Sequence, residues 1–276
     1  MRTWFITGAS RGFGILIAEQ ALRSGDAVIA TARNPQDITD RLGEQPNLLA
    51  LRLDVTREDE AHQAVAEGIK RFGRIDVLIN NAGFGVLGAV EETSASETER
   101  LFATNVFGLL NVTRAVLPHM RAQRSGRVIN ISSIGGYQAY MGWGVYGSTK
   151  FAVEGITEAL HQELAPLGIQ ATVVEPGFFR TDFLDEQSLI KTRLELADYD
   201  ETVGKMRAFA EAANHAQPGD PQKFAEAMLA LVNAPTPPQR LALGSDTVAR
   251  IEAKNRLVAQ ELAEWNELAL STDFAN

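Results

Sequence analysis

The tyrosine and the lysine of Tyr146-Gly-Ser-Thr-Lys150 are four residues apart, so on a helix they would share one face, one turn apart. This pair could carry proton chemistry, because a phenol can give or take a proton and a nearby cation stabilises the phenolate. The pair alone does not establish that chemistry. A partly buried tyrosine beside a solvated lysine is a common arrangement on amphipathic helices. The rest of the chain must decide between the two interpretations.

The composition narrows the classes of function. The chain has 276 residues, of which 45% are hydrophobic and 22% charged, as expected for one large globular domain. A net charge of −9 is unfavourable for binding the phosphate backbone of a nucleic acid, so we expect no nucleic-acid partner. The chain contains no cysteine, and its four histidines lack the spacing of a metal motif, so we expect no metal site.

We expect neither a targeting segment nor a membrane segment. The N-terminal stretch MRTWFITGAS lacks the long apolar region and cleavage site of a signal peptide. No window reaches about 18 uninterrupted apolar residues, which is the length that a membrane-spanning helix needs. The expectation is therefore a cytoplasmic protein with no membrane partner.

Short apolar runs alternate with helix-length amphipathic segments along most of the chain. The runs are nearly continuous in apolar character, which favours strands of a parallel sheet covered on both faces. Alternation of such strands with helices predicts a doubly wound, Rossmann-type α/β domain of about seven strands spanning residues 1–276. We predict strands at 4–9, 27–32, 48–55, 75–83, 126–133 and 169–177, and helices at 12–24, 57–72, 95–122 and 146–166.

The last third of the chain has a different pattern. Residues 178–220 are polar and irregular, and we predict a substrate loop there, with a mobile lid over 185–220. A helix is predicted over 221–234 and a short last strand over 241–245. A C-terminal helix, capped by Ser245 or Asp246, is predicted to reach about residue 270.

A glycine-rich turn, TGASRGFG, joins the first strand to the first helix. At the first βα turn of a doubly wound sheet, such a turn predicts a dinucleotide site. Its glycines permit a tight turn and close approach of a ligand, and the free N–H groups of the helix N-terminus suit a pyrophosphate. The predicted contacts in this turn are Gly8, Ser10, Arg11, Gly12, Phe13 and Gly14.

The end of the second strand bears on which nucleotide is bound. An acidic residue there would bind the ribose hydroxyl of NAD(H), but this strand ends in Thr31-Ala32-Arg33. Arg33 and Arg11 would favour a 2′-phosphate, so NADP(H) is predicted over NAD(H). The other predicted contacts are Asp54 and Val55 beside the adenine, and Asn81, Ala82 and Gly83 in the turn after the fourth strand.

Seven motifs together resemble the short-chain dehydrogenase/reductase family. Over residues 3–182 they occur in the order and spacing expected of that family: TGASRGFG (7–14), DVT (54–56), NNAG (80–83), FATNVFG (102–108), NISS (130–133), YGSTK (146–150) and EPGFFRT (175–181). Within the family, IATARNP and the long C-terminal region resemble bacterial NADPH-dependent carbonyl reductases and the hydroxysteroid/retinol dehydrogenase branch.

The resemblance implies four catalytic residues. Tyr146 would exchange a proton with the substrate oxygen, and Lys150 would lower the pKa of Tyr146 and bind the nicotinamide ribose. Ser133 would polarise the substrate carbonyl, whereas Ser132 should face the other way because side chains alternate along a strand. Asn105 would hold a water that links Lys150 to solvent, and it could also satisfy backbone groups at a helix irregularity.

The resemblance also places the loop after the sixth strand over the nicotinamide. The expected contacts there are Pro176, Gly177, Phe179 and Thr181, although the family more often has a small β-branched residue at position 179. Aromatic residues near these positions predict an apolar pocket and a bulky, apolar carbonyl or alcohol as the substrate. The predicted pocket residues are Phe84, Ile134, Tyr140, Trp143, Phe178 and Phe183.

Other functions and the assembly state stay open at this point. A 3-oxoacyl-thioester reductase and a non-catalytic NADP(H)-sensing protein are alternatives, as is an epimerase or dehydratase, for which no second base is evident. In the family, the helices at about 95–122 and 146–166 form a dimer interface, so the resemblance implies a homodimer or a homotetramer.

Overall fold

A seven-stranded parallel sheet forms the centre of the molecule. The computed structural model describes residues 1–274. Two further short strands pair with each other outside the main sheet. The strands in this part of the chain are β1 Thr3–Thr7, β2 Ala27–Ala32, β3 Leu48–Arg52, β4 Val77–Asn80, β5 Gly85–Leu87, β6 Gly126–Ile131, β7 Ile169–Pro176, β8 Leu189–Lys191 and β9 Arg240–Leu243.

The order of the strands creates a crevice at one edge of the sheet. The order is β3-β2-β1-β4-β6-β7-β9, so the chain winds outward in one direction from β1 and then in the other from β4. β1 pairs with β2 on one side and with β4 on the other, with Phe5 opposite Ile29 and Leu78. Ligands bind in such folds where the winding direction reverses, outside the carboxyl ends of the strands. The predicted Rossmann-type architecture is confirmed.

Helices cover both faces of this sheet. The helices are α1 Gly12–Arg23, α2 Gln36–Leu42, α3 Glu58–Phe72, α4 Ala95–Phe102, α5 Leu109–Gln123, α6 Gly144–Leu164, α7 Lys205–Ala213, α8 Pro221–Asn233, α9 Ser245–Glu264 and α10 Asn266–Leu270. The alternation of side chains along β1 shows why two layers form. Trp4 and Ile6 pack in the core layer that includes α1 and α8, whereas Phe5 packs with α3 and α5. The indole Nε1 of Trp4 donates to Asp26 Oδ2 at 2.9 Å.

The helix predicted over 95–122 is interrupted by a π-helical turn. This turn covers Ala103–Gly108 and lies between α4 and α5. A π turn adds one residue to the helix and changes which side chains face inward, and such turns are common at functional sites. By length and composition Ala95–Gln123 could span a membrane, but 56% of its most apolar window is buried inside the protein. These apolar residues therefore pack the core.

Residues 178–220 contain more regular structure than the sequence predicts. β8 pairs in parallel with β5, placing Val86 opposite Ile190, and α7 follows a second π-helical turn at Asp200–Gly204. These elements are short and depend on tertiary pairing, so their local sequence pattern is weak.

The start of α9 also differs from the prediction. Gly244 is the N-cap residue, and neither Ser245 nor Asp246 caps the helix with its side chain. Instead, Asp246 Oδ2 accepts a hydrogen bond from the backbone N of Phe178 at 2.9 Å. The carboxylate thereby ties the first turn of α9 to the loop that follows β7.

Candidate active site

Tyr146 and Lys150 lie on the inward face of α6, in its first two turns. Both side chains are buried. The Lys150 Nζ donates to the carbonyl oxygen of Ile131 at 2.9 Å, at the end of β6, and lies 5.8 Å from the centre of the Tyr146 ring. Because α6 begins at Gly144, the helix places its first aromatic hydroxyl at the carboxyl edge of the sheet.

Burial controls the protonation of both residues. It raises the pKa of the Tyr146 phenol above its ordinary value, while a hydrogen bond with the Ser133 side chain acts in the opposite direction. Burial also lowers the pKa of Lys150 to about 8, against the charge of Glu154, which raises it. Lys150 is not among the groups that shift the pKa of Tyr146, so the expectation that this lysine lowers it stays a prediction. Tyr146 is therefore protonated at neutral pH and suited to act as an acid.

The two adjacent serines face opposite sides of the strand end. The Ser133 Oγ accepts from Gly135 N at 3.0 Å, at the start of a short 3₁₀ turn, and its side chain bonds with Tyr146. Ser132 packs on the other side. A Cβ added to Gly136 would lie 2.5 Å from the Ser132 Oγ and 3.0 Å from the Glu154 Oε1. Only Ser133 thus shares a space with the Tyr146 phenol.

Asn105 connects the π-helical turn to the loop after β4. Its Oδ1 accepts from Phe84 N at 3.1 Å, and its Nδ2 donates to Phe84 O at 3.0 Å and to Thr149 Oγ1 at 3.1 Å. These bonds satisfy backbone groups beside the π-helical turn, which is the second of the two roles that the sequence suggests for Asn105. They also fix Asn105 next to the helix that carries Tyr146 and Lys150.

The glycine turn packs directly against the turn after β4. Gly8 has a positive φ of 63°, and a Cβ there would lie 3.0 Å from Ala82 Cα. Asn81 Nδ2 donates to the carbonyl oxygens of Thr7 and Gly8 at 2.9 and 3.0 Å, holding the two turns together. A Cβ on Gly14 would lie 2.9 Å from Ala9 Cα and closer still to Gly8 O. Only glycine fits at that position.

The start of α1 fits a pyrophosphate. Gly12 has a positive φ of 54°, and a Cβ there would meet nothing within 4 Å, so its outer face is open. The N-cap residue Arg11 makes no side-chain cap bond, and Ser10 is half-buried before it. The helix N-terminus thus has the open backbone donors that bind phosphate groups.

The remaining residues predicted to contact the nucleotide surround this turn. Arg33 is exposed at the end of β2, and Arg11 donates to the side chain and the backbone oxygen of Gln187. Asp54 accepts from Thr56, whereas the Val55 side chain is buried near Gly108. Gly83 lies beside both Asn105 and Lys150, since its added Cβ would be 3.2 Å from Asn105 Oδ1 and 3.8 Å from Lys150 Nζ.

Two of the predicted cofactor residues use their rings for packing. The Phe13 ring stacks on Phe224 at 3.7 Å, and Phe179 meets both rings edge-on at 5.4 Å. Phe13 and Phe179 could therefore contact a cofactor only through backbone atoms or the remaining edges of their rings. The sequence pattern missed Phe224 because it lies on α8, more than 200 residues beyond the glycine turn.

The loop after β7 is held by its backbone. Pro176 is paired with Leu243, whose carbonyl oxygen accepts from Gly177 N at 2.9 Å. A Cβ on Gly177 would lie 2.5 Å from Asp246 Cγ, so a side chain at this position would displace the Asp246 carboxylate. Thr181 N donates to Phe179 O at 2.9 Å, and the Thr181 side chain is half-buried.

Most of the predicted pocket residues collect around Tyr146. Phe84, Tyr140, Trp143 and Phe183 belong to one apolar cluster with it. The Trp143 and Phe183 rings each lie 5.6 Å from the Tyr146 ring, between centres. This cluster also contains residues that the sequence did not single out, from β5, β8 and α7: Val86, Leu87, Leu189, Met206 and Ala210.

The other two predicted pocket residues have different surroundings. The Phe178 ring packs edge-on against Phe209 of α7, with 5.7 Å between ring centres. Ile134 is buried at the start of the 3₁₀ turn that Ser133 caps. The Phe178 ring therefore contacts α7 rather than the Tyr146 ring.

Charged residues behind α6 form a cluster that the sequence pattern missed. Arg240 on β9 pairs with Glu154 and Glu158 of α6, and it bonds Glu175 at 2.7 Å. Burial raises the pKa of the Glu154 carboxyl above its usual range, the neighbouring Glu175 raises it further, and the charge of Arg240 lowers it. Because Glu154 is one turn beyond Lys150, this cluster lies next to the helix face that carries Tyr146 and Lys150.

A second buried ion pair fastens the segment over 178–220 to the body. Arg207 of α7 pairs with Glu92, whose other oxygen accepts from Leu196 N at 2.8 Å. Burial opposes ionisation of Glu92, but hydrogen bonds from the backbone of Leu196 and Ala89, with the charge of Arg207, hold its pKa below the usual range. Glu92 therefore stays ionised at neutral pH.

Comparison with known proteins identifies relatives over nearly the whole chain. The short chain dehydrogenase family model matches residues 2–190. Oxidoreductase BOA17 from Botryotinia fuckeliana is 39% identical over 98% of this chain and 99% of its own length. A 3-ketodihydrosphingosine reductase from Bacteroides thetaiotaomicron is 38% identical, over 87% of this chain and 86% of its own.

Solved structures show the same similarity. A short-chain dehydrogenase from Streptomyces avermitilis superposes with a TM-score of 0.92 at 41% identity, covering 99% of this chain and 100% of that one. A serine dehydrogenase in a closed form complexed with NADP+ has a TM-score of 0.73 at 29% identity, covering 87% of this chain and 94% of that one.

Proposed function

The chain belongs to the short-chain dehydrogenase family and is an oxidoreductase, and on that premise we propose that it reduces a bulky, apolar ketone or aldehyde with NADPH. The observation that carries this proposal is the buried, protonated phenol of Tyr146, placed between Ser133, Lys150 and an aromatic wall. The same groups would serve the reverse reaction, oxidation of the alcohol.

In the proposed reaction, the phenol of Tyr146 donates its proton to the substrate carbonyl oxygen. The Ser133 hydroxyl donates a hydrogen bond to the same oxygen, which stabilises the negative charge that develops there. NADPH, when bound, supplies the hydride that reduces the carbonyl carbon. The phenolate left on Tyr146 lies beside Lys150. Because the pKa of Lys150 is about 8, the charged ammonium is its major form at neutral pH. Thr149 and Asn105 hold this part of α6 in place.

The arginines near the glycine turn support NADP(H) as the cofactor. Arg33 is exposed at the end of β2, where an NAD-type site would have a carboxylate. Arg11 stands at the opening of α1. Guanidinium groups bind a 2′-phosphate through charge-assisted hydrogen bonds. The NADP+ complex of the related serine dehydrogenase is consistent with this choice.

The aromatic cluster supports an apolar substrate. Trp143, Phe183 and Phe84 surround the Tyr146 ring and would give a carbonyl compound an apolar wall on several sides. The relative from Bacteroides thetaiotaomicron is named as the reductase of a keto compound, which agrees with reduction of a ketone.

The test is the rate of NADPH and NADH oxidation against a panel of aliphatic, aryl and steroidal ketones, with Tyr146→Phe measured alongside. We expect turnover with NADPH on bulky ketones and a loss of at least about 100-fold in kcat for Tyr146→Phe, because the proton donor is gone. Tyr199→Phe is the matched control, since that exposed hydroxyl bonds only Glu91 in the region described and should leave kcat unchanged. Tight NADPH binding without turnover of any ketone would contradict the proposal and favour a sensing role.

A further inference from the structure

The Arg11 side chain connects the glycine turn to the segment over 178–220. Its Nη1 donates to Gln187 Oε1 at 2.5 Å, and its Nη2 donates to Gln187 O at 2.9 Å. The two residues are 176 positions apart in the sequence, and the contact is exposed. Because one planar guanidinium bonds both the side chain and the backbone of Gln187, the contact fixes both partners.

Gln187 belongs to a short turn that is anchored from the other side. Ser188 N donates to Asp185 O at 2.8 Å, which closes the turn directly before β8. At the end of this turn, Gly85 N donates to Ser188 O at 2.8 Å, where β5 and β8 begin to pair. The turn is therefore held by β5 on one side and by Arg11 of the glycine turn on the other.

These contacts close a ring around the proposed dinucleotide cleft. The floor of the cleft is the packed junction of two turns, where Asn81 Nδ2 donates to Gly8 O at 3.0 Å. From Gly8 the ring continues along the chain to Arg11, crosses to Gln187 and returns through Gly85 to Asn81. A dinucleotide bound between the glycine turn and α6 lies along this floor, so the contact between Arg11 and Gln187 would cross it on the exposed side.

The same contact fixes a positive charge beside the open end of α1. Arg11 is the N-cap residue of this helix, and Gly12 next to it has free space on its outer face. A free arginine side chain samples many rotamers, and holding it in one of them costs entropy when a ligand binds. Gln187 lowers that cost, since it holds the guanidinium before the cofactor arrives.

We propose that Arg11 and Gln187 form a strap that closes over the bound dinucleotide and slows its release. Gln187 is a positioning residue in this arrangement, because it acts on the cofactor through Arg11. The inference rests on the proposed dinucleotide site, but not on the identity of the substrate. The strap affects release of the whole dinucleotide, whereas recognition of the 2′-phosphate concerns only its adenosine end.

The first experiment measures how fast NADPH leaves the protein, by stopped-flow displacement with excess NADP+ and detection of nicotinamide fluorescence. We expect Gln187→Ala to raise the dissociation rate constant by about three- to tenfold, the value of an exposed charge-assisted hydrogen bond. Gln63→Ala is the matched control, since it removes the same side chain and an exposed bond to Glu67 on α3, and it should leave the rate unchanged. In an Arg11→Ala background, Gln187→Ala should have no further effect, because its partner is gone. An unchanged or slower release from Gln187→Ala would overturn the strap.

The second experiment separates the strap from recognition of the 2′-phosphate. Adenosine 2′,5′-bisphosphate carries that phosphate but lacks the nicotinamide half of the cofactor, so its dissociation constant, measured by calorimetry, should be the same for Gln187→Ala and the wild type. Tighter binding to Gln187→Ala would overturn the proposal, because Gln187 would then only withhold Arg11 from the 2′-phosphate. A wild type that binds neither NADPH nor NADH would overturn the proposed function as well, whereas binding with unchanged release rates would overturn the strap alone.

Discussion

The Lys150 side chain lies between a backbone carbonyl oxygen and the carboxylate of Glu154, and its surroundings have opposing effects on its protonation. Its Nζ donates to a backbone oxygen at the end of β6, and the carboxylate of Glu154 lies one helical turn further on. Burial favours the neutral amine, whereas Glu154 favours the ammonium. The charge state of Lys150 near neutral pH therefore depends on a residue that does not touch the proposed substrate, so Glu154 is a positioning residue in this site.

The pH profile of ketone reduction tests this dependence. Charged Lys150 stabilises the developing phenolate, so kcat/KM for reduction should fall as the pH rises through the Lys150 pKa of about 8. Glu154→Gln removes the charge that raises this pKa, so the same fall should occur at lower pH. Glu158→Gln is the control, because this more exposed carboxylate also pairs with Arg240 but is not among the charges that shift Lys150. Identical profiles for Glu154→Gln and the wild type would refute the assigned role.

The choice of nucleotide can be tested at Arg33. Arg33→Ala should raise the KM for NADPH by about 10- to 100-fold, the value of a charge-assisted hydrogen bond, and leave the KM for NADH nearly unchanged. Arg41→Ala removes an exposed arginine of α2 and should affect neither cofactor. An equal loss with both cofactors would show that Arg33 does not read the 2′-phosphate.

Among individual residues, the sequence predicts those that form short local motifs. Tyr146, Lys150 and the glycine turn are recognisable because their spacing is set within one helix or one turn. Glu154, Arg240 and Phe224 could not be found in this way, since their partners are distant in sequence. The pKa of Tyr146 is also not predictable from the sequence, because it depends on burial by residues of distant elements, among them β5, β8 and α7.

The segment over 178–220 is fastened to the body as a set of elements. β8 extends β5, and Arg207 of α7 reaches the buried Glu92. The Lys191–Glu211 pair lies on its exposed surface. The apolar side chains that α7 and β8 place beside Tyr146 are thus positioned by one strand pairing and one buried ion pair. Opening of this segment would require breaking both.

Glu92→Gln tests this attachment. Breaking a buried ion pair costs about 3–5 kcal/mol, so we expect faster proteolysis within residues 185–215 and a higher KM for bulky ketones. Glu211→Gln breaks an exposed pair worth roughly 0–1 kcal/mol and should leave both measurements at the wild-type value. Equal protease resistance in all three proteins would mean that the Arg207–Glu92 pair does not hold the segment in place.

For the whole molecule, the order of the main-sheet strands up to β7 could be predicted, because each is a nearly continuous apolar run. The sequence does not predict α2 and β5 in the same region, since seven and three residues show too little periodicity. Most of the predicted strands extend too far at their C-terminal ends, as at 4–9 against Thr3–Thr7, whereas the prediction of 27–32 agrees with β2. The regular structure within residues 178–220 could not be predicted, because its elements are only three to nine residues long. How many copies assemble stays a prediction.

Gly155 offers a test of the surface of α6. A Cβ there would meet nothing within 4 Å, so Gly155→Ala should stabilise the helix by about 0.5–1 kcal/mol. For a chain of this size, that gain should raise the Tm by roughly 1–4 °C in a thermal scan. Gly14→Ala should lower the Tm, since its Cβ would overlap backbone atoms of the glycine turn. A lower Tm for Gly155→Ala would show that a second copy packs closely on this face.

The three tryptophans occupy three separate parts of the structure. Trp4 is enclosed in the sheet, Trp143 lies edge-on to Tyr146, and Trp265 is exposed at the end of α9. Indole fluorescence shifts in colour with exposure to water, so each emission reports a different event without any added dye. Trp4 would report global unfolding, Trp143 occupancy of the site, and Trp265 any change in the surroundings of the terminal helix. Replacing two of the three with phenylalanine would isolate each signal in turn.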